Sequence, residues 1–115
     1  MIDYCIKKAT DQPFVKRQIR VYAVIVDKRG KIVAEATNSY IKTHPFQKKC
    51  AEKANLPEKE YLHAECSALI KSKGLGHKMY VARIDSKGNA VPAMPCPVCQ
   101  IAICEHGNIK SLEWS

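Results

Sequence analysis

The stretch Pro95-Cys96-Pro97-Val98-Cys99-Gln100-Ile101-Ala102-Ile103-Cys104-Glu105-His106-Gly107 carries the boundaries of a helix within itself. Pro97 suits the first helical position, where the missing N–H costs nothing, and Gly107 suits the far end. Downstream, Ile109 to Trp114 reads as a strand. Upstream, Lys78 to Ile84 has the β-branched and aromatic content of another strand, followed by turn chemistry at Asp85-Ser86-Lys87-Gly88-Asn89. The order strand, helix, strand sets a layered α/β architecture as the expectation.

The rest of the chain extends that pattern. Ile19 to Val26 is apolar and β-branched enough for a buried strand, Asp27-Lys28-Arg29-Gly30 is a turn, and Lys31 to Thr37 a second strand. The two should form an antiparallel hairpin. Asp3 to about Gln12 is expected to be a short helix, capped by Asp3 and stopped before Pro13. At Thr43-His44-Pro45, Thr43 or His44 can cap a helix opened by Pro45, running to about Ala54 and closed by Asn55. A further helix ends at Gly74, with Lys71 and Lys73 in its last turn; its start is open between Pro57 and His63. The expected fold is a three-layer αβα sandwich around a central mixed sheet of about four strands, with residues 1–115 as a single domain.

Composition narrows the function classes. An apolar fraction of 46% in 115 residues argues against general disorder. The longest apolar run, Val21 to Val26, falls far short of the ~20 residues a membrane span needs. Asp3, Lys7, Lys8 and Asp11 interrupt the start before any signal-like apolar segment, so a cytoplasmic protein without a membrane partner is expected. In a reducing compartment the six cysteines point to metal binding or catalysis rather than a disulfide framework. A formal charge of +8 favours polyanionic partners or substrates, such as phosphates and nucleic acid.

Two motifs carry chemistry: His63-Ala64-Glu65 and Pro95-Cys96-Pro97-Val98-Cys99. Cys96 and Cys99 straddle the first turn of a helix, where N–H groups and the positive dipole end favour thiolate, the form that binds metal. One imidazole completes a set of three protein ligands, and a tetrahedral metal keeps its fourth position for water. Glu65, two residues from the histidine, can reach that position without filling it and work as a general base. Histidine, one residue, glutamate, then Pro-Cys and a second cysteine three residues on is the pattern of zinc nucleobase deaminases.

On these motifs the sequence resembles the cytidine deaminase-like superfamily, and it looks closest to small phage-type deoxycytidylate and cytidine deaminases. The resemblance runs from about Val21 to Trp114 and includes Asn38-Ser39-Tyr40-Ile41-Lys42-Thr43-His44-Pro45. It implies His63, Cys96 and Cys99 as ligands of Zn2+ and Glu65 as proton shuttle. It also implies that the Ala64 N–H holds the pyrimidine carbonyl, the Pro95 carbonyl accepts from the leaving amine, and Asn38 meets the sugar. The helix should then begin near His63, leaving Pro57 to Leu62 as a connection. Most members of the superfamily continue past the fourth strand with a further helix and strand, whereas this sequence stops at Ser115.

The expected activity is hydrolytic deamination of a cytosine nucleotide or nucleoside, deoxycytidylate first, giving the uracil form and ammonia. One alternative is a deaminase acting on cytosine or adenine in single-stranded DNA or RNA. Another is a non-catalytic zinc module that binds nucleic acid or a partner chain. A homo-oligomer is expected. Cys66 could approach the metal from His63's own helix, but with Cys5, Cys50 and Cys104 it reads as a core or surface thiol. Lys42, Lys48, Lys49 and Lys53 read as a solvated helix face; the sharper reading makes them a phosphate rim with Tyr40 or Phe46 as a stacking platform.

Overall fold

Strand β1 (Arg20–Val26) lies inside the sheet because both its faces are apolar: Tyr22, Val24 and Val26 point to one side, Ala23 and Ile25 to the other. The computed structural model describes residues 1–11, 19–38, 44–56, 63–73, 75–85, 87–94, 96–106 and 109–114. Along one edge β1 pairs antiparallel with β2 (Ile32–Thr37). Their turn is held by Asp27, whose Oδ1 accepts from the N–H groups of Arg29 and Lys31, while Gly30 takes a φ of 82°. Along the other edge β1 pairs antiparallel with β3 (Lys78–Ile84) over its full length, from Arg20 opposite Ile84 to Val26 opposite Lys78.

The far edge of β3 is shared. Ser111–Trp114, strand β5, runs parallel to its first half, and Ala90–Val91, strand β4, runs antiparallel to Arg83 and Ile84. The sheet thus has five strands where about four were expected. Strand β4 has two residues, too few to show periodicity. It exists because Asp85 Oδ1 accepts from the N–H groups of Lys87 and Asn89 and turns the chain back on itself.

Helix α1 (Ile2–Thr10) covers one face of the sheet, with Cys5 and Ala9 buried against Tyr22, Val24, Ala82 and Ile84. It starts earlier than expected, with Met1 as N-cap; Asp3 makes no cap but sits in the first turn, where its charge favours the positive end. The Tyr4 and Tyr22 hydroxyls both donate to Glu35 Oε1, tying α1 to β1 and β2. The other face carries α3 (Ala64–Ser72) and α4 (Pro97–His106), with α2 (Pro45–Lys53) packed against α4. This gives the expected three layers. His44 caps α2 through Nδ1, which accepts from the Phe46 N–H at 3.1 Å. At the end of α3 the left-handed position falls on Lys73 (φ 52°), one residue before the expected glycine, and Gly74 lies outside the described residues.

Two stability predictions follow from this packing. Gly76 has a φ of 109°, and a Cβ there would stand 2.3 Å from Cγ2 of the fully buried Ile25. Gly76→Ala combines overpacking with backbone strain and should cost about 2–4 kcal/mol, read from chemical denaturation. The second concerns Cys5, whose thiol faces the Tyr80 carbonyl at 3.7 Å. Burial pushes that thiol from 9.0 up to about 12, so across this window the folded chain holds a proton that the unfolded chain releases. The contribution is whole below the unfolded value and is lost as pH rises through the window, with a limit of about 1.4 kcal/mol per pH unit. Urea midpoints should therefore fall above about pH 9, and less steeply in Cys5→Ala.

Candidate active site

Helices α3 and α4 pack side by side on the same face of the sheet, which brings their N-terminal ends together. His63 is the N-cap of α3, with extended backbone, and its N–H donates to Oε1 of the fully buried Gln47 on α2 at 3.4 Å. Cys96 immediately precedes α4 and Cys99 lies in its first turn. The result is convergence: His63 Nδ1 stands 3.2 Å from Cys99 Sγ and 3.5 Å from Cys96 Sγ. All three donor atoms lie within 4.8 Å of one another.

Electrostatics separate the two thiols. Hydrogen bonds from Cys99 and from the His63 ring push the Cys96 thiol down to about 3, against the opposing effect of burial. Cys99 is pushed up, first by hydrogen bonds with Cys66 and Cys96 that need its proton, then by burial. Glu65, on the first turn of α3, is 6% exposed. Burial pushes its carboxyl up, while its own N–H, the Cys99 thiol and His63 pull it partly back. Cys66 is fully buried behind Cys99 and is not among the three converging donors.

This donor set fits zinc. Bonds of about 2.0–2.3 Å in a tetrahedral site put ligand atoms roughly 3.6 Å apart, close to the observed separations. The Cys96 thiol is lowered toward the thiolate form that binds metal, and zinc binding would displace the proton that Cys99 holds. Two thiolates and an imidazole leave one position open, the arrangement of a catalytic rather than a closed structural site.

The family model for the cytidine and deoxycytidylate deaminase zinc-binding region matches residues 1–114. The chain belongs to this family. It is a zinc-dependent deaminase. Among solved structures it is similar to cytidine deaminase from Mycobacterium tuberculosis, at 20% identity and a TM-score of 0.56, covering 98% of this chain and 80% of that one. A glutamate-to-glutamine variant of the same enzyme superimposes equally, at 21% identity, a TM-score of 0.56 and the same coverage. At that identity the likeness is one of fold. No curated protein matches the sequence closely enough to serve as a relative.

A cavity of about 250 Å³ opens over this deaminase's His63, Ala64, Glu65 and Cys96. Asn38 lines it too: its Oδ1 accepts from the Val21 N–H at 3.0 Å and its Nδ2 donates to the Ile19 carbonyl at 3.1 Å. Pro95, Tyr40 and Lys42 lie outside the described residues. Lys48 and Lys49 are exposed, and Lys53 pairs with Glu105 at 2.7 Å; none of the three lines the cavity. Phe46 packs against the core. The sequence reading missed Arg83, which does line the cavity. A charged residue inside the otherwise apolar run of β3 was the available signal. No helix among the described residues is long and apolar enough to cross a membrane.

Proposed function

We propose that this deaminase hydrolyses the amino group of a cytosine nucleotide, deoxycytidylate first, to the uracil form and ammonia. The observation that carries the reading is a buried carboxyl, Glu65, opening into the same cavity as His63 and Cys96. His63 Nδ1 and the Cys96 and Cys99 sulfurs would hold the zinc. Bound zinc supplies a Lewis acid that makes water nucleophilic at neutral pH. Glu65 would take one proton from the attacking water at its carboxylate and pass it to the ring nitrogen, then carry the second, from the hydroxyl added to the ring, to the departing amine. Burial raises the Glu65 pKa, the direction that favours return of the proton it has accepted.

The remaining roles follow from position. Ala64 opens α3, where the first N–H groups have no partner within the helix, and its N–H suits the pyrimidine carbonyl. Asn38 spends one lone pair on Val21 of β1 and one amide hydrogen on the Ile19 carbonyl just before it, which leaves one of each for a sugar hydroxyl. For the Pro95 carbonyl, outside the described residues, it is the family resemblance and not position that supports a role as acceptor from the leaving amine. We place the catalytic unit in one domain over residues 1–115. Six free cysteines support a reducing, cytoplasmic setting, and exposed Leu75 and Trp114 support a homo-oligomer.

The test is ammonia release by the zinc-loaded chain from cytidine, deoxycytidine, their mono- and triphosphates, adenosine and a single-stranded oligonucleotide. Deoxycytidylate is expected to be fastest, with weak dependence on salt. An oligonucleotide outpacing every free nucleotide, with log affinity falling by roughly 0.7 per neutralised phosphate against log salt, would overturn the choice of substrate.

A further inference from the structure

The pleat of β3 sends alternate residues to opposite faces. Tyr80, Ala82 and Ile84 meet α1, whereas Met79 and Val81 pack under α3 and α4 on the catalytic side. Arg83 continues the second series, at the point where that face runs out into the cavity. Its cross-strand neighbours are Val21 on β1 and Val91 on β4, so neither flank offers it an acid. Its Nε is buried with no hydrogen-bond partner among the described residues. Arg20, three residues before Ala23, falls on the α1 side and donates from Nη1 to the Thr10 carbonyl.

A buried guanidinium N–H that lacks an acceptor is costly, and a ligand that brings acceptors removes that cost. Among the described residues the cavity brings few. Apart from the metal end, its described lining is Ile19, Val21, Asn38, Ala93 and Met94, and the one acid among the described lining residues is Glu65. Arginine's planar fork matches the paired oxygens of a phosphate. We propose that Arg83 binds the 5′-phosphate of the substrate and so selects a nucleotide over a nucleoside. This rests on the cytosine reading above and adds to it the group that reads the phosphate. A cavity of about 250 Å³ suits a mononucleotide rather than a strand, since it is small even for a ligand pocket. The exposed lysines of α2 are not needed.

The experiment compares the zinc-loaded wild type with Arg83→Met and Arg83→Lys, measuring kcat/KM for deoxycytidylate and for deoxycytidine. The monophosphate-to-nucleoside ratio should fall about a hundredfold in Arg83→Met, mostly through KM, and about tenfold in Arg83→Lys, which keeps the charge without the fork. Methionine fills similar length without a buried donor, so the melting temperature should hold or rise. Titration of the products deoxyuridylate and deoxyuridine gives the same ratio without turnover. An unchanged ratio, or parallel losses on both substrates with a lowered melting temperature, would overturn the proposal and mark Arg83 as structural. An oligonucleotide more sensitive to Arg83→Met than the mononucleotide would overturn it too. If deoxyuridylate binding depends on Arg83 while no cytosine compound is turned over, the assignment of the phosphate stands and the cytosine activity falls. Normal cytosine turnover with an indifferent Arg83 is the reverse.

Discussion

Glu65→Gln should leave a folded, zinc-loaded chain whose kcat is lower by about 10²–10⁴-fold, the usual worth of a positioned general base. The substitution changes one atom of a side chain that is 6% exposed, so it opens no cavity in the core. It also takes no ligand from the metal, because the three converging donors are His63, Cys96 and Cys99. What it removes is the capacity to take and return a proton. Burial raises the pKa of the wild-type carboxyl, which still exchanges a proton, whereas a carboxamide has none to exchange. Metal analysis, near-ultraviolet circular dichroism and ammonia release on one preparation separate these effects. Turnover at the wild-type rate by a metal-loaded Glu65→Gln chain would refute the role assigned to Glu65.

The site was legible because its chemistry is written at helix starts. Pro97 announces α4, and the spacing of Cys96 and Cys99 across its first turn follows from that start alone. His63 was harder to place, since Pro57 competes as a helix opener by local signals; the structure makes His63 the N-cap. Strand β3 fell on the expected residues because its β-branched and aromatic run ends at strong turn chemistry. The misses have a common cause, which is that long-range partners decide them. Glu35 gathers Tyr4 and Tyr22 from positions 31 and 13 residues away, and no periodicity reports such a contact. Lys73 takes the left-handed position although a glycine follows it, so local propensity was overruled. Arg83 is the instructive case: strand periodicity assigns it a face, but only the assembled sheet shows that this face ends in a cavity. The basic stretch misled in the opposite sense, because Lys48 and Lys49 are conspicuous in sequence and exposed in the fold, away from the cavity.

Cys99→Ala should abolish zinc binding in practice and lower the melting temperature by about 10 °C. Groups that merely orient a ligand are worth about 10–100-fold in metal affinity, so removal of a ligand should exceed the upper figure. A hundredfold loss of affinity withdraws about 2.7 kcal/mol of the stabilisation that bound metal confers, and in a domain of this size that is roughly 10 °C. Cys99 is fully buried and hydrogen-bonded to Cys66, so part of any loss could come from packing rather than metal. Chelation distinguishes the two sources. Removing zinc from the wild type should reproduce most of the drop, and the same chelator should do nothing further to Cys99→Ala, since two routes to one lost interaction do not add. Cys66→Ala supplies the complementary control: it disturbs the same packing but keeps His63, Cys96 and Cys99, so it should lose some stability while retaining metal. Metal retained by Cys99→Ala and stripped by Cys66→Ala would reverse the ligand assignment and move the second sulfur from α4 to α3.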